Sequence, residues 1–548
     1  MHLLLITPPL TQLNTPYPAT AYLKGVLRDE GHTVHQLDLG IELVDCVLTE
    51  SFLQSIGLER QARLIEPVKR FLRGQDDTLA PRIANRSLLP EGKRFEQIDS
   101  DNLEWAFGTA GTTDKAQHLA TLFVEEIADY IREQVDPHFD LVRYAEYLSN
   151  DAPSFDPLYE ELQQSPSPID HIMLQLLEAC VSQFNPDEVW LTVPFPGCLY
   201  GALRCGQWLK AHTKATVEIG GGFPNTEWRQ LSDKRIYEFC DRVLIDGHPE
   251  AVEHCPDFGD LPLDKYLSLT EMTNPMHRLW SQGRWNKMMM AHGCYWHRCA
   301  FCDTSLPYIG RYRAPAATTV VDHMERVMQQ TGRTGFHFVD EALPPKLLKE
   351  VAEEILRRNL AVSFWGNIRF EKAYSAELCD LLAEAGMVAV SGGLEVASDR
   401  LLKLMDKGVT IQQTVEACRH FRDAGIMVHT YLMYGFPTET LQETVDALET
   451  VRRMFDEGIV QSAFWHRYAM TCHSPSGLNP EVYGARRVTL EPNPFCNNEV
   501  DWTPEFPYDI EAVGAALRLA TYNYMNGLGL DQPLRSWFPI RVPKPSIR

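Results

Sequence analysis

The chain has 548 residues, 44% of them apolar and 23% charged, with 34 Gly and 35 Pro, which is material for roughly three to four domains and excludes a collagen-like or disordered composition. Acidic residues outnumber basic ones 74 to 51, for a net charge of −23; such a field repels phosphate backbones and anionic lipid surfaces and weighs against nucleic acid as a partner. No window reaches the ~18 consecutive apolar residues of a membrane span, and Met1 to Pro9 lacks the basic leader and long apolar core of a signal peptide, so a cytoplasmic location is expected.

Residues 2 to 6 form a short apolar run ended by Pro8 and Pro9, Ala19 to Arg28 is apolar at helical spacing, and Thr33 to Leu39 alternates before Gly40. This pattern predicts a strand, a helix and a second strand in a βαβ unit. Residues about 45 to 180 carry long helical stretches, such as Asp114 to Gln134 and Ile169 to Phe184, and form a mainly helical insertion. Strands resume at Asp187 to Pro194, Ala215 to Ile219 and Arg242 to Ile245, with a helix near Gly201 to His212. Residues 1–265 are therefore expected to be a doubly wound, Rossmann-like domain interrupted by that insertion.

Residues 266–285 form a linker. Strand-like runs then recur at Met288 to Ala291, Gly335 to Val339, Val362 to Trp365, Val388 to Gly392, Met427 to Met433 and Ser462 to Tyr468. Ser375 can cap a helix that Gly386 ends, and Thr410 another that Gly425 ends. Repeated β/α units of this spacing over 286–478 predict a partial (β/α)6 barrel with its chemistry at the carboxyl ends of the strands. A C-terminal extension, 479–548, is rich in Pro, Asn and aromatic residues and carries one helix near Ile510 to Asn526.

Thirteen cysteines in an intracellular chain of this size are weighed as metal or redox ligands before disulfides. Cys294, Cys299 and Cys302 fall within nine residues, on the loop after the first barrel strand. Three thiolates so spaced can hold three irons of a 4Fe-4S cubane and leave the fourth open. Zinc, with His292 or His297 as a fourth ligand, and plain buried thiols are the competing readings. Cys198, Cys205, Cys379, Cys418 and Cys472 are scattered and read as buried thiols, and Met288 to Met290 as strand core.

With Phe301 directly before the last cysteine, the sequence here resembles the radical SAM enzymes, in particular the branch with an N-terminal cobalamin-binding domain. The likeness spans about residues 1–45 and 187–480. The cysteine spacing departs from it: four residues and then two, where the family commonly has three and then two. The resemblance implies that Asp340 and Glu341, ending the second barrel strand, accept hydrogen bonds from the SAM amino group and that Arg369 binds the SAM carboxylate. It also implies that Glu395 binds the ribose hydroxyls, and that the turn with Gly435 and Pro437 lines the adenine. In the N-terminal sheet it implies a cobalamin site at Thr7 and Pro8, Thr192 and Pro194, and Gly220, Gly221 and Gly222. The Asp-x-His-x-x-Gly motif that supplies an axial histidine to cobalt is absent at the first strand end.

The implied activity is one-electron cleavage of SAM at the cluster to a 5'-deoxyadenosyl radical, followed by cobalamin-dependent methylation of an unactivated carbon. The implied partners are a small-molecule or peptide substrate and an electron donor such as flavodoxin or ferredoxin. Radical rearrangement or cyclisation without methyl transfer, and a non-catalytic cobalamin- or redox-sensing module, are the rival readings.

Overall fold

The computed structural model describes every residue except 97, 99–102, 104–106, 108–110, 151, 489–494 and 548. Two parallel sheets organise it, and the fold is α/β. The first is built from β1 (His2–Thr7), β2 (Thr33–Asp38), β3 (Glu188–Thr192), β4 (Thr216–Gly220) and β5 (Arg242–Val243) in the order β2-β1-β3-β4-β5. Leu3 to Ile6 are all buried, as a strand covered by helices on both faces requires. The helical insertion, which includes Thr112–Gln134 and Pro168–Phe184, falls between β2 and β3. The strand order reverses at β1 and β3, the place where doubly wound sheets open a crevice for ligands.

The second sheet runs β6 (Trp285–Met288), β7 (Gly335–Phe338), β8 (Ser363–Ile368), β9 (Met387–Glu395), β10 (Met427–Tyr434) and β11 (Ser462–Arg467), each parallel to the next and paired in chain order. This is the expected partial barrel. Met288, Phe336, Phe338, Phe364 and Val390 pack outward with Val320, Met324, Leu348 and Val351 of the surrounding helices. Ser375 and Thr410 cap their helices as expected, each accepting a backbone N–H from three residues on.

Three elements differ from the expectations, each for a local reason. The first barrel strand ends at Met288 rather than Ala291, because the Asp340 carboxylate takes the N–H groups of Met290 and Ala291 that a longer ladder would use. β5 is two residues long and stops short of the left-handed turn at Asp246 and Gly247. Gly220 is the last residue of β4 instead of part of the loop. The tail helix, Ile510–Met525, packs on β11, where Trp465 Nε1 donates to Thr521 at 2.8 Å. No helix among the described residues is long and apolar enough to cross a membrane.

Candidate functional site

The loop after β6 carries the cysteine triad and is tied down at several points. His292 and Arg313 exchange backbone hydrogen bonds, Cys294 N donates to Ile309 O at 2.9 Å, and Ala300 N donates to Met405 O at 2.8 Å. Trp296, one of the four residues between the first two cysteines, donates its indole N–H to Asp406 O at 2.8 Å. Its ring lies 4.4 Å from the Arg369 guanidinium, within cation–π range. Gly408 makes that docking possible: it holds φ +76°, and a Cβ there would fall 2.2 Å from the Trp296 ring. The turn 405–408 is thus the counterpart onto which the cysteine loop latches.

Charge gathers at Cys299. Arg369, 4% exposed, places Nη1 3.7 Å from its sulfur and donates from Nη2 to Lys407 O, while the buried Nε makes no hydrogen bond and lies 3.9 Å from the Glu371 carboxylate. The Cys302 thiol hydrogen-bonds to Cys299, and this bond, aided by the charges of Lys407 and Arg369 and opposed by burial, lowers the Cys299 thiol below its usual range while Cys302 is raised. The thiolate is the form that binds iron, and a lowered thiol reaches it more readily. Among the described residues, no three His, Cys, Asp or Glu side chains converge as ligands of a single ion. A cubane places one thiolate on each of three irons, so its ligands surround a space instead of meeting at a point. The donor chemistry of the triad, three thiols beside the Arg369 and Lys407 cations and a guanidinium N–H that makes no hydrogen bond, fits an anionic cluster and a carboxylate-bearing ligand.

The other residues singled out in the sequence stand at the carboxyl ends of the barrel strands, in different states of commitment. Asp340, 1% exposed, accepts from Met290 N at 2.9 Å and Ala291 N at 2.6 Å, and burial raises it to about 7 against those bonds. Its carboxylate braces the start of the cysteine loop. Glu341 makes no such bond; its side chain is exposed, yet lies deep enough in the cleft for desolvation to raise its pKa. Glu395 ends β9 and forms a buried ion pair with Lys407 at 2.6 Å. Burial opposes the Lys407 charge, but Glu395 outweighs it and holds the ammonium above its ordinary range. Beyond β10, the Gly435-Pro437 turn is fixed by Glu439, which accepts from Gly435 N at 2.7 Å, Phe436 N at 3.1 Å and the Thr444 hydroxyl at 2.6 Å.

The sequence reading missed Trp296 as a structural anchor and Lys407 altogether. A Lys-Gly pair after a helix carries no signal beyond a C-terminal turn; only the fold brings it to Glu395.

At the edge of the first sheet, Thr7 and Thr192 are the buried last residues of β1 and β3, followed by the buried Pro8 and Pro194. Gly221 holds φ +119°, where a Cβ would fall 2.5 Å from Val193 O; at Gly222 it would fall 2.7 Å from Pro194 O. These two glycines let the loop after β4 close on the loop after β3. The edge faces the barrel mouth: Tyr22 accepts from Met289 N at 2.7 Å, and Tyr17 lies near enough to Glu341 for that carboxylate to add to the burial that raises its phenol to about 12.

Residues 288–451 match the Radical SAM superfamily. Among curated proteins, the chain is 24% identical over 201 residues to the uncharacterized methyltransferase PH0819 of Pyrococcus horikoshii, covering 36% of this chain and 41% of that protein. It is 30% identical over 217 residues to the anaerobic magnesium-protoporphyrin IX monomethyl ester cyclase of Rubrivivax gelatinosus, covering 39% of this chain and 36% of the cyclase. The chain therefore spans well under half the length of these relatives. Among solved structures it is similar to the radical S-adenosylmethionine methyltransferase TsrM from Kitasatospora setae, at 17% identity and a TM-score of 0.46, covering 89% of this chain and 81% of that one.

Proposed function

We propose that the protein is a cobalamin-dependent radical SAM enzyme that methylates an unactivated carbon of a small-molecule or peptide substrate. The observation that carries this reading is the cysteine loop after the first barrel strand, with Arg369 Nη1 3.7 Å from the Cys299 sulfur, at the carboxyl ends of a parallel barrel and inside the segment that matches the Radical SAM superfamily. When bound, a 4Fe-4S cluster on Cys294, Cys299 and Cys302 supplies the electron that cleaves SAM, and cobalamin supplies the methyl group.

The chain's own residues divide the remaining work. Arg369 offers its guanidinium to the SAM carboxylate, and Glu341, unlike Asp340, has a carboxylate open to the SAM ammonium. Glu395, paired with Lys407, is the acceptor for ribose hydroxyls, and the Gly435-Pro437 turn lines the adenine. Residues 286–478 act as the SAM domain, with the extension 479–548 packed on its last strand. Residues 1–265 hold the corrinoid at the switch point, with Thr7, Pro8, Thr192, Pro194 and Gly220 to Gly222 lining it. An external flavodoxin or ferredoxin delivers the electron.

Anaerobic reconstitution with iron, sulfide and hydroxocobalamin tests the reading. The expected outcome is one corrinoid per chain, and methionine plus 5'-deoxyadenosine from SAM on reduction; protein that binds neither cofactor overturns it. The likeness to a cyclase favours one second reading, ring formation without methyl transfer. S-adenosylhomocysteine, formed only where a methyl group leaves SAM intact, separates the two.

A further inference from the structure

Helix Asp399–Leu404 ends in a turn whose next three carbonyls lie past the reach of any intrahelical donor. Each is answered from the barrel mouth. Met405 O accepts from Ala300 N at 2.8 Å, Asp406 O from the Trp296 indole at 2.8 Å, and Lys407 O from Arg369 Nη2. Gly408 follows at φ +76° and leaves open the space that the Trp296 ring fills. The turn is thus a template that sets two side chains from different elements against each other: Trp296 from the cysteine loop and Arg369, the first residue beyond β8. The bonds of Ala300 and Trp296 are enough to hold the loop, and folding alone gives no reason for a guanidinium to share the turn with them.

The three nitrogens of the buried Arg369 meet three different neighbours. Nη2 has its carbonyl, Nη1 lies 3.7 Å from the Cys299 sulfur, and Nε makes no hydrogen bond although the Glu371 carboxylate stands only 3.9 Å away. Glu371 is itself held in place by the Tyr295 hydroxyl, which donates to it at 3.2 Å. A hydrogen-bonded arginine–carboxylate pair is among the strongest polar contacts a protein makes, and here both partners are present with the bond unmade. The closest electrostatic partner of the guanidinium is instead the Trp296 ring, whose centroid lies 4.4 Å from Arg369 Cζ; the exposed Arg298 approaches the same ring only to 5.3 Å. Tryptophan offers a cation the most favourable face of the aromatic side chains. With that face on one side and the Lys407 carbonyl at one end, the plane of the guanidinium is fixed.

We propose that Trp296 is a positioning residue that keeps Arg369 off Glu371 and holds its Nη1 donors on the Cys299 side, where they take the SAM carboxylate. The identity of that carboxylate rests on the proposed radical SAM reading. Two carboxylates compete for one guanidinium, that of Glu371 within the chain and that of the ligand, and the ring biases the competition toward the ligand. Without the ring, Arg369 turns onto Glu371 and the ligand loses its partner. Trp296 does this without touching SAM, through the face of Arg369 alone.

The test measures iron content and the SAM dissociation constant, by equilibrium dialysis against the oxidised cluster that leaves SAM intact, on the full-length protein reconstituted anaerobically. Trp296→Phe keeps a ring over Arg369 and loses the bond to Asp406; Trp296→Leu loses both. All variants are expected to hold the same iron as wild type, with SAM bound within about twofold of wild type by Trp296→Phe and about tenfold more weakly by Trp296→Leu. Adding Glu371→Gln to Trp296→Leu should restore the affinity, because a neutral amide no longer draws the guanidinium. Equal weakening by Phe and Leu would make the Asp406 bond the agent and overturn the proposal. So would a Leu variant as tight as wild type, a double variant as weak as Trp296→Leu, or loss of iron from the Leu variant, which would leave Trp296 an anchor of the loop. Wild-type protein that holds the cluster and binds no SAM defeats the catalytic reading instead, before any variant is compared.

Discussion

The barrel mouth and the facing edge of the five-stranded sheet both carry residues that the sequence marks as functional, but the fold accounts for them differently. At the sheet edge, Gly221 and Gly222 are required by the approach of one loop to another, and the packing of Val193 and Pro194 explains them fully. At the barrel mouth, Arg369 buries an Nε that makes no hydrogen bond, and a buried Lys407–Glu395 pair adds its charges to those around the Cys299 sulfur. Burying two charges seldom stabilises a fold relative to apolar residues of the same size. The mouth therefore holds more charge than folding demands, whereas the edge holds only the backbone freedom that folding demands. This asymmetry makes the mouth the stronger functional assignment.

The largest expected effect tests the mouth directly. Cys299→Ala removes the sulfur beside Arg369, and reconstituted protein should lose the visible absorbance of the cluster and most of its iron; full iron content in this variant breaks the assignment. Next comes Lys407→Met. It leaves Glu395 buried without its counter-ion, which should cost about 3–5 kcal/mol in denaturant unfolding, and the double variant with Glu395→Gln should recover most of that loss. If the single variant is neutral, the pair is not a charged unit and the contrast with the edge disappears. At the edge, Gly221→Ala forces a side chain into φ +119° and against a carbonyl oxygen, for about 3 kcal/mol of stability. Its iron content should stay unchanged, since the damage is confined to the first sheet.

Much of this was legible in the sequence. Apolar runs of four to six residues between helix signals gave both parallel sheets, and the cysteine triad announced itself by spacing. What escaped detection depends on register and long-range contact. Lys287 lies just before the expected start of its strand, because the Met288 to Ala291 run reads as a better strand than Trp285–Met288; the competition of Asp340 for two N–H groups decides it. Asp340 and Glu341 are adjacent and look equivalent, yet one faces the backbone just beyond β6 and the other the cleft. Trp296 reads as a loop residue until the turn at Gly408 is brought beneath its ring.

The smallest effect sharpens the comparison through pH. Burial raises Glu439 from 4.5 to about 7, the Thr444 hydroxyl and two backbone N–H groups opposing that rise. The folded protein therefore holds the Glu439 proton more tightly than the unfolded chain does. Its contribution to stability is complete below pH 4.5 and is lost as pH rises through about 7, a change of at most about 3 kcal/mol, and nearer 2 once local relaxation is allowed. Glu439→Gln keeps an acceptor oxygen for Gly435 N and Phe436 N and cannot ionise. Chemical denaturation of this variant at pH 5 should match wild type, and at pH 8 it should be the more stable of the two. An unchanged pH slope would mean that the turn beyond β10 is held by its backbone alone, as the sheet edge is, and that the surplus of charge at the mouth stops at Lys407.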